Sequence, residues 1–521
     1  MKELDYRILE ANTAFEQSLI WQINRSYYEE VGLSAWSDGV VPHNMTSNMY
    51  VGNTYAGVIL GFLKDIALIR QNDEVVYIVE LGSGHGRLAF HILRLLDKMI
   101  ALEAIKLPSY CYVLTDIVDS NLTFFEEHPQ LQEYFESGKL DVAYYDGVAS
   151  KEIILRNQNK TIHQNSLINP MIAIANYFFD SIPNQLFKIK NKQIFSCEIM
   201  LETPQKKEYE SNEALLKNLR TSILVDDIEH INKKDPFIKD LLDDYKAELN
   251  ETHLLIPRLA INCIETLKGY SEHGLMLISI DKGYSDIAQL EGRPEPEIIH
   301  HGSFSVYVNF HALEKYCAFQ DGKTFFSSFS DYSMQLGCFL FTKSPDSYSK
   351  TIAAYDHYID DFGPDDYNGM KKMAYRLVSY LTLRELITIM RLGNFDSTLF
   401  LKLLPFIRKL LSPINKTDRS RLKQTLSKIH HFYFDIKEPL NASFEIAGIL
   451  YDIAYYKESL EVYDSLTDFS GDRADIYYNK ILCYYQLRMD KAFSATLIKA
   501  KAAYPGFEKF AHLEKLDLNA V

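Results

Sequence analysis

The chain has 521 residues, more than a single hydrophobic core of ordinary size organises, so two or three domains are expected. Its 47% hydrophobic and 24% charged residues exclude a disordered chain. A net charge of −15 with no lysine- or arginine-rich block argues against nucleic acid or anionic membrane as the main partner, since both demand a basic face; a basic protein partner remains compatible.

The opening MKELDYRILEANTAFEQSL carries neither a signal-peptide nor a transit-peptide pattern, and no apolar run reaches the roughly 18 residues that span a bilayer. Six cysteines are scattered without CxxC pairing, which gives neither a zinc site nor a disulfide framework. A cytoplasmic protein without a bound metal is the expectation. Residues 1–54 are read as an N-terminal helical segment, helical to about Trp36 and then a polar loop, with a helix following over 55–69.

From Val75 short apolar runs alternate with helices, the pattern of a parallel α/β sheet. The runs are VVYIVEL (75–81), YCYVLT (110–115), LDVAYY (140–145), MIAIANY (171–177) and GLMLISI (274–280), each apolar enough to be buried on both faces. The charged stretch 211–250 reads as a helical insertion. Residues 346–370, rich in Pro, Gly, Asp and Ser, read as a linker between a domain over 55–345 and a helical domain over 371–521. In that tail Gly448 and Ile481, Tyr451 and Tyr484, and Ser459 and Ala492 are each 33 residues apart, with Pro505 beyond. The spacing resembles tetratricopeptide repeats; a plain helical bundle fits the same residues.

The sharpest motif is VELGSGHGRLAFHILRLL, 79–96. An apolar strand ends at Leu81, glycines follow at 82, 84 and 86, and Leu88, Ile92, Leu95, Leu96 and Met99 then fall on one helical face. Position 87 is arginine where a dinucleotide fingerprint needs glycine, and the Gly-Lys-Ser/Thr ending of a phosphate loop is absent. What stands there is E-x-G-x-G-x-G, which suits S-adenosylmethionine: Gly82, Ser83, Gly84 and Gly86 form the loop, and Glu80 answers the cationic end of the ligand. Asp116, ending the second strand, is placed to take the ribose hydroxyls, and Asp146, in YYDG after the third, to reach the adenine amino group. His300, His301, His430 and His431 lack metal-ligand spacing and read as ordinary loop or helix residues, and His85 as part of the loop.

After the fourth strand stands IANYFFDSIPNQLFKI, 174–189. Here the sequence resembles the MidA-type methyltransferases, related to mitochondrial complex I assembly factors. Ala175, Asn176, Phe179, Asp180 and Pro183 match the family's A-N-E-x-F-D-A-L-P, while ISIDKGYSD (278–286), SFSVYVNFHALEKY (303–316) and YSMQLGCFLF (332–341) resemble its later segments. The resemblance covers roughly residues 55–345. It implies a Rossmann-like methyltransferase domain dependent on S-adenosylmethionine, with Asn176 and Asp180 addressing the acceptor and a protein, arginine in particular, as substrate. Tyr177 stands where the family has glutamate and Asn309 where it often has aspartate. A guanidinium keeps its proton and must be oriented by carboxylates, so the missing glutamate sets arginine specificity in question. The resulting expectation is a Rossmann-like α/β domain followed by an all-α, tetratricopeptide-like tail that docks a protein. A catalytically silent scaffold and a small-molecule methyltransferase are the alternatives.

Overall fold

The computed structural model describes residues 6–37, 44–205, 209, 211–229, 235–296, 299–301, 303–327, 334–470, 473–514 and 516. The chain divides into two compact units, residues 1–47 with 51–366, and residues 48–50 with 367–521.

In the larger unit a strand, β1 (Tyr6–Ala14), and a helix, α1 (Leu19–Val31), open the chain. Helix α2 (Met49–Arg70) leads into β2 (Val76–Leu81), α3 (Arg87–Ile100) and β3 (Tyr110–Asp116), and then β4 (Leu140–Tyr144) and β5 (Met171–Asn176) follow. Four strands come next: β6 (Gln185–Lys190), β7 (Gln193–Pro204), β8 (Arg220–Glu229) and, after helix α4 (Pro236–Glu248), β9 (Glu251–Ile256). Helix α5 (Arg258–Gly269), β10 (Leu275–Tyr284), α6 (Phe310–Phe319), β11 (Lys323–Phe326) and β12 (Met334–Phe341) complete the two sheets.

The principal sheet has the order β11-β12-β10-β5-β2-β3-β4. Its five strands β10, β5, β2, β3 and β4 are parallel, and at one edge β12 runs antiparallel to both β10 and β11. All five apolar runs therefore lie side by side in one sheet. Strands β2 and β3 are buried along their whole length, as their unbroken apolar sequences require. Val79 of β2, Ala173 of β5 and Ile261, Ile264 and Leu267 of α5 share one core. The order reverses at β2, with β3 on one side and β5 on the other, and such a switch point is where open α/β sheets bind ligands.

The second sheet is antiparallel, in the order β1-β7-β6-β9 with β8 on β7. Two expectations are corrected here. The N-terminal segment is not helical throughout, because residues 6–14 pair as a strand with β7. The stretch 211–250 is not wholly helical either, because 220–229 forms β8 on the other side of β7. Phe15, Ile20, Trp21, Ile23 and Tyr27 clamp α1 into a core with Ile199 and Leu201 of this sheet. Residues 346–370, read as a linker, contain the point where the two units divide, and they hold the helix Ser349–Tyr355, a π-helical turn and the start of Pro364–Leu377. The Asp65 carboxylate accepts bonds from the Lys350 and Thr351 amides at 3.1 and 2.7 Å and thereby anchors the first of these.

The smaller unit is helical throughout its regular structure. The helices Ala442–Asp452 and Tyr456–Ser470 pack as one hairpin and Ala474–Gln486 and Asp490–Ala503 as the next, which puts each 33-residue pair at matching places in successive hairpins.

Candidate functional site

At the carboxyl ends of the central strands lies a cavity of about 360 Å³, within the roughly 300–1,000 Å³ of small-molecule sites. Glu80, Gly82, Ser83, Gly84, Asp116, Asp146 and Asn176 all line it, together with Tyr177 and Phe178. Seven of the nine residues singled out from the sequence thus meet on one surface. Gly86 does not line the cavity; it caps α3 with φ at +73°. Asp180 is also outside the lining and is buried behind it.

The glycine loop is shaped by its backbone. Gly84 has φ at +59°, and a Cβ there would lie 3.1 Å from the Trp36 ring, so both the left-handed conformation and the close ring exclude a side chain. Ser83 stitches the loop to β3: its hydroxyl donates to the Glu80 carbonyl at 3.2 Å and accepts the Thr115 amide at 3.0 Å.

Each carboxylate has a distinct environment. The Tyr112 hydroxyl donates to Glu80 Oε2 at 2.8 Å. Burial nevertheless pushes the Glu80 carboxyl up to about 8, with the Asp116 charge adding to the rise and the tyrosine bond opposing it. Asp116 accepts the Val118 amide at 2.9 Å, the Gly84 amide at 3.1 Å and the Asn121 side-chain amide at 3.3 Å. Burial still raises it to about 6. Asp146 is buried, which works against ionisation, yet the Arg25 guanidinium and the Val148 and Ala149 amides hold it below the usual carboxylate range. The sequence reading left that carboxylate free for the adenine; in the structure Arg25 of α1 holds it.

On the opposite side, Asn176 Oδ1 accepts the Tyr55 hydroxyl at 2.7 Å and the Ile280 amide at 3.2 Å, which fixes the side-chain amide at the end of β5. Tyr177 then turns with φ at +49°, an unusual conformation for a non-glycine residue. Asp180, expected to address the acceptor, instead faces Asp281 of β10. The Asp180 amide donates to Asp281 Oδ2 at 3.1 Å, and Ser181 Oγ donates to Asp180 Oδ1 at 2.7 Å. Burial raises both carboxyls, and the Asp180 charge adds to the rise of Asp281, which is the more raised of the two.

The wall that sequence reasoning missed comes from the N-terminal segment: Trp21, Asn24, Arg25 and Tyr28 of α1, with Trp36 beyond it. Tyr112 was missed as well. It lies two residues before Leu114, the β3 partner of Glu80, and is therefore a diagonal neighbour visible only once the strand register is known. Among the described residues no cluster of His, Cys, Asp and Glu could hold a metal ion, and no helix is long and apolar enough to cross a membrane.

The cavity suits S-adenosylmethionine in its chemistry: a glycine loop that a Cβ would fill, and an acidic wall for a cationic ligand. Residues 62–296 match the model of a family described as "Putative S-adenosyl-L-methionine-dependent methyltransferase". No curated protein matches the chain. Among solved structures, an uncharacterised protein from Burkholderia thailandensis is 10% identical over 59% of this chain and 73% of its own, with a TM-score of 0.37. A candidate methyl transferase of the same organism, solved bound to S-adenosyl-homocysteine, is 12% identical over 59% of this chain and 78% of its own, with a TM-score of 0.34. On the family match, the larger unit is that of an enzyme, an S-adenosyl-L-methionine-dependent methyltransferase, and its cofactor is S-adenosylmethionine.

Proposed function

We propose that the cavity above the glycine loop holds both the cofactor and the acceptor, and that the acceptor group is presented by a protein that the helical unit docks. The observation that carries the cofactor half is the convergence of Glu80, Gly82, Gly84, Asp116 and Asn176 on one cavity inside the matched segment. The repeated helical hairpins support the docking half, since stacked hairpins of this tetratricopeptide-like kind present extended binding surfaces.

When bound, S-adenosylmethionine supplies an electrophilic methyl group on a sulfonium. The chain contributes position and shelter. The backbone of the loop admits the ligand closely, Glu80 answers its ammonium, and Asp116 offers the ribose its remaining acceptor capacity while tethering the loop through Gly84. Asn176 lines the acceptor side, its Oδ1 held by Tyr55.

Calorimetric titration with S-adenosylmethionine, beside Asp116→Ala, tests this reading. Micromolar binding that weakens at least tenfold in the variant, about 1.4 kcal/mol, is the expected result. No binding by the wild type would leave a silent scaffold as the better account.

A further inference from the structure

Resting on that cofactor site, we propose that the acceptor subsite takes a neutral aromatic ring rather than a guanidinium. Its wall is a tier of ring faces. Tyr28 stacks on Trp36 at 6.0 Å and 22°, and Trp36 in turn covers Gly84, so the tier reaches the glycine loop at one end. At the other end Trp21 packs on Phe304 at 4.8 Å, beside the segment whose Val306 amide bonds the Asp180 carbonyl at 3.1 Å. The tier therefore runs to the loop after β5, where Tyr177 and Phe178 face the same space.

The polar atoms of Trp21 and Tyr28 are already engaged elsewhere. Trp21 Nε1 donates to the Phe15 carbonyl at 2.7 Å, and the Tyr28 hydroxyl donates to Ser303 Oγ at 3.0 Å. What they offer the cavity is ring surface, which suits a flat apolar partner stacked or packed edge-on.

The carboxylates are engaged too. Glu80 is bonded by Tyr112 and faces the cofactor's ammonium, and Asp116 tethers the glycine loop. Asp146 is held by Arg25, and Asp180 is turned onto Asp281. Tyr177 fills the place of the glutamate seen in the family resemblance. A guanidinium would bring five N–H donors into a site with no carboxylate among the described residues free to orient them. Ring faces also attract cations. Here, though, a guanidinium would shed its water with no carboxylate placed to compensate the loss.

The test uses the full chain saturated with S-adenosyl-homocysteine and follows added p-cresol or methylguanidinium by saturation-transfer NMR. The expected result is p-cresol binding at least fivefold tighter than methylguanidinium. Equal or tighter binding of methylguanidinium would overturn the proposal. Absence of S-adenosyl-homocysteine binding would overturn the cofactor reading and this inference with it. Tyr177→Glu, which supplies a carboxylate at the subsite, should shift the preference toward methylguanidinium by fivefold or more; an unchanged preference would speak against the proposal. Should that variant fail to fold, the comparison in the wild type still decides. The peptide Gly-Gly-Tyr-Gly-Gly separates the sources of the ring: saturation of its tyrosine supports a protein side chain, and binding of p-cresol alone supports a free aromatic molecule.

Discussion

Burial holds the Glu80 carboxyl at about 8, so in the free protein it carries a proton at pH 7. A cationic cofactor facing Glu80 favours its ionised form, and binding must therefore expel that proton. Ionising the group costs about 1.4 kcal/mol at pH 7 and about 2.7 kcal/mol at pH 6, one and two units below its pKa. The association constant should accordingly rise about tenfold per pH unit between 6 and 8 and level off above. Titration calorimetry of S-adenosylmethionine from pH 6 to 9, in buffers of differing ionisation enthalpy, measures both the slope and the proton released. Glu80→Gln keeps an acceptor for the Tyr112 hydroxyl and carries no titrating proton, so the ratio of wild type to variant cancels the ligand's own titration. The same slope in both proteins would refute the reasoning. Folding gives an independent sign. A carboxyl raised from 4.5 to about 8 contributes stability that is fully present below 4.5 and is lost as pH rises through 8. Glu80→Gln should therefore melt above the wild type at pH 9, by an amount that shrinks as the pH falls.

Gly84→Ala places a Cβ 3.1 Å from Trp36 on a backbone with φ at +59°. It should cost about 1–3 kcal/mol of stability, seen as a lower Tm, and weaken S-adenosyl-homocysteine binding at least tenfold; a neutral effect on both would argue against the loop geometry. The chain has only two tryptophans, and both Trp21 and Trp36 line the cavity, so ligand entry should shift the intrinsic emission and Trp36→Phe should remove most of the response. Arg25→Ala breaks a pair whose guanidinium side is 39% exposed, so it should cost less than about 1 kcal/mol at pH 7. Because Asp146 is depressed, the loss should be present above its ordinary pKa and fade in acid, which Tm values at pH 7 and pH 3 would show.

The central sheet was legible because β2, β3 and β5 are buried on both faces and must be written as unbroken apolar runs. The glycine loop was legible because three left-handed positions, at 82, 84 and 86, admit little else. The edge elements were not. Strand β1 is mostly exposed and draws its order from backbone pairing with β7, which leaves no alternating pattern in YRILEANTA. β8 escaped notice for the same reason, lying exposed on the other side of β7 among charged residues. The pairing of Asp180 with Asp281 joins positions 101 residues apart, and the contact of Arg25 with Asp146 spans 121. Neither is implied by local spacing, so Asp180 read as acceptor-facing and Asp146 as free. In 346–370 the turn-forming residues read as a linker, and the two units do divide there, but Pro364 opens a helix and Asp366 caps the Gly363 amide at 2.8 Å just before it.

The matched family segment begins at residue 62, yet α1 and Trp36 supply a whole wall of the cavity. On the proposed reading, acceptor choice draws on 19–37 as well as on Asn176 and Tyr177 inside the matched stretch. Substitutions in 19–37 that keep Trp36 on Gly84 and Arg25 on Asp146 should alter what is admitted without disturbing the glycine loop. The same arrangement offers a route to retargeting: a different N-terminal wall that keeps these two contacts should change what the cavity admits.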